Sequence, residues 1–314
     1  MGFKLQTMWV MAAAALGFAL SMALPVSAGE LVITQVTGKV YSAIGETLPP
    51  SYENAGHNNN LSFIVTDAGV VVVNGGDNYL LAESLHRAIR QRTPQPVKWV
   101  INENGQGHAF LGNSYWAEQG ETIIAHRDAV AEIRSRGAGS LAEMRKRNRE
   151  KAAGTGVVVP DLAVGDRAVL YLGDTAVEIL RFGAAHSPGD VSVWLPGQRL
   201  LIAGDIAFHQ RLLGIFPDTD VAGWIDSFDR MAELEPQVVI PGHGGPTDID
   251  TLRTWTQDYL KYLTAEVERI LDEEGDLDDA YAIDQSAYSS LDTFEELAGK
   301  NAGRLFQTLE MERF

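Results

Sequence analysis

The stretch Ala185-His186-Ser187-Pro188-Gly189-Asp190 (AHSPGD) lies between two segments with strand patterns and places a histidine and a carboxylate among turn-forming residues. Glycine at such a point permits a tight turn and a close approach of the backbone to a ligand. Loops at strand ends are also where a rigid scaffold displays its functional groups. Three further segments have the same character, at residues 105–108 (GQGH), 204–205 (GD) and 241–245 (PGHGG).

The segments around these loops alternate between strand and helix patterns. The continuous β-branched run at 70–73 (VVVV) is typical of a strand buried on both faces. Further strands are predicted at 31–41, 61–66, 97–102, 122–125, 191–195, 199–203 and 238–240, and helices at 79–92, 113–119, 129–153, 224–234 and 249–273. The helix at 129–153 is rich in charge, which we interpret as a solvated face. Strands and helices repeated in two halves predict an α/β sandwich.

In this order and with these flanks, the four loops resemble those of the metallo-β-lactamase fold hydrolases. His186 matches the ligand of that family's third metal motif, Asp205 the bridging carboxylate of its fourth, and His243 the ligand of its fifth. Residues 107–113 (GHAFLGN) resemble the end of its His-x-His-x-Asp-His signature. The resemblance covers nearly all of the chain after residue 28 and implies an αββα sandwich with a C-terminal helical extension.

The tail resembles one branch of this family. Residues 301–314 (NAGRLFQTLEMERF) are similar to the C-terminus of exported members known as quinoprotein relay system zinc metallohydrolases or sulfur-oxidation-linked hydrolases. The resemblance implies a periplasmic quinoprotein dehydrogenase as a possible partner.

The signature motif departs from the family pattern at several positions. Glu103 and Gly105 stand where the family has its two leading histidines, and Gly107 stands for its aspartate. Only the last histidine, His108, remains. Asn74 replaces a further aspartate that is usual at the end of the early strand.

These losses imply a reduced metal site. In the family, one metal takes the two leading histidines and the position of His186, so this site is expected to be very weak. The other metal loses one ligand and keeps His108, Asp205 and His243. We predict one ion on these three, because three protein ligands plus water is a normal catalytic arrangement for Zn²⁺. Two histidines and one carboxylate also suit Fe²⁺.

His186 and Glu103 are the candidate catalytic residues. His186 is expected within a few ångströms of the ion, where it would complete the ligand shell or act on protons. Glu103 would replace a lost ligand or serve as general base; the alternative is a solvated loop carboxylate. His57 is predicted to be a loop residue, although its region comes near the site in this fold, and His209 is a candidate for the pocket wall. Three aromatic residues are candidates either for an apolar wall or for the core: Phe208, Phe216 and Trp224.

The N-terminus predicts export. Lys4 supplies a positive charge, residues 8–24 are apolar, and Val26-Ser27-Ala28 has the small residues that precede a cleavage site. We therefore predict a signal peptide at 1–28, a metallo-β-lactamase-like domain at 29–262, a helical extension packed on it at 263–314, and a periplasmic location. No second apolar run is long enough to span a membrane.

Composition limits the possible partners. The formal net charge is −17, so nucleic acid is not expected as a partner because its phosphates would be repelled. The chain has no cysteine, so a metal must be held by His, Asp or Glu.

Three functions remain open at this stage. The first is a periplasmic hydrolase that cleaves an ester, a thioester or a similar carbonyl in a small molecule, with one metal-activated water. The second is a catalytically degenerate accessory or binding protein of the same fold. The third is a mononuclear non-haem iron protein using the same three ligands.

Overall fold

The computed structural model describes residues 29–313, and two β-sheets form its centre. The predicted signal peptide at 1–28 lies outside the described residues. Seven strands form the first sheet in chain order: β1 (Ile33–Thr37), β2 (Val40–Ala43), β3 (Leu61–Thr66), β4 (Gly69–Val73), β5 (Val97–Asn102), β6 (Thr122–His126) and β7 (Leu162–Val164). Neighbouring strands are antiparallel from β1 to β4 and parallel from β4 to β7.

The second sheet has five strands: β8 (Arg167–Leu172), β9 (Thr175–Leu180), β10 (Ser192–Leu195), β11 (Leu200–Phe208) and β12 (Val238–His243). Their spatial order is β12-β11-β10-β9-β8. The pairs from β8 to β11 are antiparallel, and β11 pairs with β12 in parallel. Gly165 and Asp166, between β7 and β8, carry the chain from the first sheet to the second.

Helices cover the outer faces of both sheets. They are α1 (Tyr79–Arg90), α2 (Gly107–Phe110), α3 (Asn113–Gln119), α4 (Arg127–Asn148), α5 (Val221–Ala232), α6 (Ile249–Leu252), α7 (Asp258–Asp272), α8 (Leu277–Tyr281) and α9 (Phe294–Glu312). A π-helical turn, Arg253–Gln257, joins α6 to α7, and 3₁₀ turns lie at Arg149–Ala152, Pro196–Gln198 and Ser286–Tyr288. No helix among residues 29–313 is long and apolar enough to cross a membrane.

Apolar side chains form three main layers. Val71 and Ile101 from the first sheet meet Val193 and Ile202 from the second in the layer between the sheets. A second layer joins the outer face of the first sheet to α1 and α3, and a third joins the second sheet to α5, α7 and α9. Every residue of β4 is buried, as the run at 70–73 predicts. The fold is thus the expected αββα sandwich with helices at its C-terminal end.

Three predicted elements differ in detail from the structure. The strand predicted at 31–41 is the hairpin β1–β2, because Gly38 adopts φ +50° at its turn. The helix predicted at 129–153 ends at Asn148, because Arg149 adopts φ +51° and interrupts the α-helical path. The domain boundary predicted after residue 262 falls within α7, whose apolar face belongs to the same layer as α5. That division of the chain stays a prediction.

Asn301 fixes α9 to the loop that follows β11. Its amide nitrogen donates to the carbonyl of Leu213 at 2.8 Å and to the hydroxyl of Tyr259 at 3.0 Å. Its amide oxygen accepts from the backbone N–H of Ile215 at 2.8 Å. The side chain is buried, so these bonds are made away from water, where an unpaired backbone group is costly.

We expect Asn301→Ala to lower the free energy of unfolding by about 1–3 kcal/mol for each backbone group left unpaired. Urea unfolding followed by circular dichroism measures the change. Glu310→Ala, at an exposed position on the same helix, is the control and should stay within about 0.5 kcal/mol of the parent chain. Equal midpoints for the Asn301 and Glu310 variants would contradict this role.

Candidate metal centre

Side chains from five positions meet at one edge of the sandwich. Glu103 follows the last residue of β5, and His108 lies on the short helix α2 that comes next. His186 is in the loop between β9 and β10, Asp205 lies within β11, and His243 is the last residue of β12. The structure therefore brings together all the candidate site residues predicted from the sequence.

The carboxylate of Asp205 is the centre of this group. Its Oδ2 lies 3.2 Å from His108 Nε2 and 3.6 Å from His186 Nε2. Its Oδ1 lies 3.4 Å from His243 Nε2. The amide of Asn104 donates to Oδ2 at 3.2 Å. Asp205 is buried, so these groups replace the water that would otherwise surround its charge.

Backbone geometry in β11 aims Asp205 at the histidines. The β11–β12 register shifts on both sides of Gly204, which has φ +64°. Such an irregularity re-aims a side chain at the rim of a sheet. A Cβ built on Gly204 would overlap Oε2 of Glu103, and one built on Gly242 would overlap Oδ1 of Asp205. The glycines on either side of the carboxylate therefore provide the space that the centre occupies.

Glu103 is enclosed in the same centre. Its side chain is 2% exposed, and its Oε1 lies 3.6 Å from His108 Nε2. Asn74 donates to that oxygen at 2.7 Å and accepts from the backbone N–H of Glu103 at 3.2 Å. The alternative interpretation of Glu103 as a solvated loop carboxylate is wrong, because the loop folds inward beneath β11.

The carboxylates make the centre attractive to positive charge. Burial opposes protonation of His108, but Asp205 and Glu103 outweigh it and raise the pKa of His108 to about 10. Burial, together with the charge of Asp205, raises the pKa of Glu103 to about 7. Burial also opposes ionisation of Asp205, yet His108 and His243 hold its pKa well below the usual range. A divalent cation would be attracted by the same negative potential.

His186 has a different environment. Phe208, Phe216 and Trp224 surround its ring at centroid distances of 5.5, 5.3 and 5.1 Å. Burial among these rings lowers the pKa of His186 to about 4, and the charges of His108 and His243 act in the same direction. The charge of Asp205 acts in the opposite direction and does not offset them. The imidazole is therefore neutral near pH 7, which is the form that binds metal. Of the two alternatives for these aromatic residues, Trp224 belongs to the core, Phe216 lines the cavity, and Phe208 does both.

The donor set fits a metal ion. Ligand atoms of Glu103, His108 and Asp205 all lie within 4.8 Å of one another. Several buried atoms that face the centre have no hydrogen-bond partner: Glu103 Oε2, His108 Nε2 and Asp205 Oδ1. Unpaired buried polar atoms are costly, and a bound ion is one of the few groups that could satisfy several of them together. Nitrogen and carboxylate donors without sulfur suit Zn²⁺ or Fe²⁺.

A carboxylate from another helix occupies the space next to Gly105, one of the positions that lack the family's histidine. A Cβ built on Gly105 would lie 2.5 Å from Oε2 of Glu132, which reaches in from α4. That oxygen is buried without a partner, and burial raises the pKa of Glu132. The solvated-face interpretation of this helix missed it. Glu132 lies one turn from the buried Ala129 and next to the buried Ile133, a spacing that signals the inward face.

The weaker histidine candidates lie outside the centre. His57 Nε2 lies 3.3 Å from the carbonyl of Ala43, and His209 Nε2 lies 2.6 Å from the carbonyl of Gly245. Both rings are held by backbone groups of neighbouring loops. The prediction that His57 is a loop residue is compatible with its contact, whereas His209, a candidate for the pocket wall, is not among the residues that line the cavity.

We expect Gly204→Ala to lower the free energy of unfolding by about 1–3 kcal/mol, because the new methyl group overlaps Glu103 and the residue needs a positive φ. Gly197→Ala is the matched control, since a Cβ there meets nothing within 4 Å. Adding Glu103→Ala should recover part of the Gly204→Ala loss in a double-mutant cycle by denaturant unfolding. Strict additivity would show that the two positions are not in contact.

The residues of this centre fall within a family match. The model described as "Metallo-beta-lactamase superfamily" matches residues 55–243. A metallo-beta-lactamase type 2 of Bacteroides fragilis is 24% identical over 220 residues, which are 68% of this chain and 80% of that protein. Helix α9 lies beyond the match.

Solved structures show the same architecture. A metallo-beta-lactamase from Pontibacter korlensis aligns with a TM-score of 0.61 and 20% identity, over 74% of this chain and 99% of that one. A stereoselective inverting sec-alkylsulfatase from Pseudomonas sp. aligns with a TM-score of 0.69 and 16% identity, over 88% of this chain and 50% of that one. At these identities the structures share a fold. Because the family model spans more than half of its length and includes the whole centre, this chain belongs to the metallo-beta-lactamase superfamily.

Proposed function

We propose that this protein is a metal-dependent hydrolase that works with one metal ion in a centre built around Asp205. One observation carries the proposal. Three histidines surround a buried carboxylate, and the group holds buried nitrogen and oxygen atoms that lack hydrogen-bond partners. The match to the metallo-beta-lactamase superfamily, which has a hydrolase-type fold, includes all the residues of this centre.

His108, Asp205 and His243 would hold the ion. His243 is already oriented, because its Nδ1 lies 2.5 Å from the carbonyl of Asn58 and its Nε2 faces Asp205. Asn104 fixes the other oxygen of the carboxylate. A bound Zn²⁺ or Fe²⁺ would supply Lewis acidity and lower the pKa of a water molecule.

Glu103 and His186 would assist this chemistry. Glu103 takes the place of the first lost histidine, and its free Oε2 could bind the ion or accept a proton. His186 presents Nε2 toward Asp205 within an aromatic wall, so it could complete the ligand shell as a neutral imidazole. The substrate class that fits this reaction is a small ester, thioester or similar carbonyl compound.

The cavity above the centre supports a small-molecule substrate. It encloses about 480 Å³, and its lining includes His108, His186, Asp205 and His243. Small-molecule sites are commonly concave, mostly apolar clefts of ~300–1,000 Å³. The predicted signal peptide at residues 1–28 supports a periplasmic location as part of this proposal.

A metal-free accessory protein of the same fold is the second candidate. It is favoured by the loss of ligands at Gly105 and Gly107 and by Glu132, whose carboxyl group occupies the space next to Gly105. In this case the cavity would bind its ligand without turnover. The resemblance of the tail gives a periplasmic quinoprotein dehydrogenase as the partner to test.

Metal content separates these candidates. We expect about one equivalent of zinc or iron, by plasma mass spectrometry, in protein purified from periplasm without a metal-affinity tag. His243→Ala should lower the content to below about 0.1 equivalent, because only two of the three predicted ligands remain. His86→Gln, on α1 and outside the centre, is the control and should keep the parent content.

Hydrolysis completes the test. A panel of p-nitrophenyl esters and thioesters should be cleaved by the purified protein, and a chelator should abolish the rate. A predominance of iron over zinc would favour the mononuclear iron protein. No metal in any form, even after incubation with Zn²⁺, would overturn the hydrolase and leave the accessory protein.

A further inference from the structure

The cavity above the centre has three cationic side chains in its wall. They are Arg211, in the segment after β11, and Lys300 and Arg304 of α9. Lys300 and Arg304 are four residues apart, so they lie on the same face of that helix. This face belongs to the C-terminal helices and not to the loops that carry the predicted metal ligands.

Hydrogen bonds hold one end of the Arg211 guanidinium, whereas another of its N–H groups has no acceptor in the described part of the chain. Its Nη1 donates to the carbonyl of Leu48 at 3.3 Å. In the swapped orientation of its amide, Asn58 accepts from the same nitrogen at 3.0 Å. The Nε–H of Arg211 is buried and has no partner among the described residues. Because a buried unpaired donor is costly, this position favours a ligand that brings an acceptor.

The two cations on α9 also make few contacts with acidic groups of the described residues. Among residues 29–313, Arg304 is half-buried as a residue, and its guanidinium makes no hydrogen bond or ion pair. Lys300 contacts Glu296 at 3.5 Å on an exposed surface. By contrast, Arg313 at the end of the same helix pairs with Asp272 at 2.8 Å.

The remaining wall of the cavity combines apolar side chains with amides and one carboxylate, Glu296, which contacts Lys300. Ile215, Phe216 and Leu297 line it beside the cations. The net charge of −17 repels anions at long range, so an anionic ligand needs a local group of cations to bind here. A molecule that suits both parts of the wall has an apolar body and one negative charge.

We propose that the substrate carries a carboxylate, which is bound by Arg211 and Arg304 with support from Lys300, while its apolar part packs against Ile215 and Phe216. This inference rests on the proposed function, because it uses the cavity in which hydrolysis would occur. It narrows the substrate class to small amphipathic esters or thioesters with a free acid group. Arg211 and the cations of α9 would then select the substrate, and the loops that carry the predicted metal ligands would perform the reaction.

Binding of a matched pair of probes tests the proposal. 4-Phenylbutyrate and 4-phenylbutyramide differ in charge and have nearly the same shape. Isothermal titration calorimetry is run on the full chain as purified and again after EDTA treatment, so that direct coordination of the acid by a metal is separated from binding to the cations. We expect the acid to bind about 10-fold more tightly than the amide in both preparations, a typical gain for a charge-assisted hydrogen bond.

Variants at the three cationic positions show which side chains cause the preference for the acid over the amide. Arg304→Gln and Lys300→Gln should each reduce acid binding and leave amide binding unchanged, and Arg304→Gln should have the larger effect because its group is half-buried. Arg211→Lys keeps the charge of a half-buried residue and should reduce the preference without unfolding the chain. Arg134→Gln, at an exposed position on α4, makes the same change in net charge and should have no effect.

The outcomes test the anion site separately from the proposed metal-dependent hydrolysis. Equal binding of acid and amide, or an Arg304→Gln variant that binds like the Arg134→Gln control, overturns the anion site even if the protein binds metal and cleaves neutral esters. A preference for the acid that depends on Arg304 supports the anion site even in a protein that binds no metal. In that case the hydrolase fails and the accessory protein has an anionic ligand.

Discussion

A buried carboxylate surrounded by imidazoles is the constraint on which this structure depends. Asp205 lies within a strand whose every residue is buried, where an isolated charge would be strongly unfavourable. His108, His186 and His243 approach it from three different segments of the chain, so each of these segments must fold correctly for the charge to be compensated. The centre is therefore a product of the whole sandwich and cannot form from any one loop.

A set of asparagines maintains these segments in position. Asn60 donates to the carbonyls of Pro241 and Gly244, at 2.8 and 2.7 Å, which ties the start of β3 to the end of β12. Asn74 fixes Glu103, and Asn104 fixes Asp205. Each amide is buried and bonds to a backbone or carboxylate group of another loop. Amides satisfy such groups without adding charge to an already acidic region, and they hold the side chains of the centre in a rigid frame.

The sequence predicts the parts of this protein that depend on local patterns. Continuous β-branched residues mark β4 as a buried strand, and histidine or aspartate next to glycine or proline marks the four loops of the centre. Glu103 was identified, but its burial could not be, because the covering groups come from β4 and β11. Glu132 and Arg211 were missed for the same reason. Their importance comes from what they face across the fold, and sequence spacing carries only a weak signal of that.

The position of α9 has a consequence for how this protein can diverge. Residues 55–243 match the superfamily and contain the whole centre, whereas the cations of α9 belong to the segment that follows. Asn301 attaches that helix to the loop after β11 through backbone groups, which any side chains in the loop would still provide. Exposed and half-buried residues of one helix can therefore change while the loops of the candidate centre and the attachment stay intact. In the proposed anion site, the cations of α9 could thus be replaced separately, whereas Arg211 lies inside residues 55–243 and would change together with the centre.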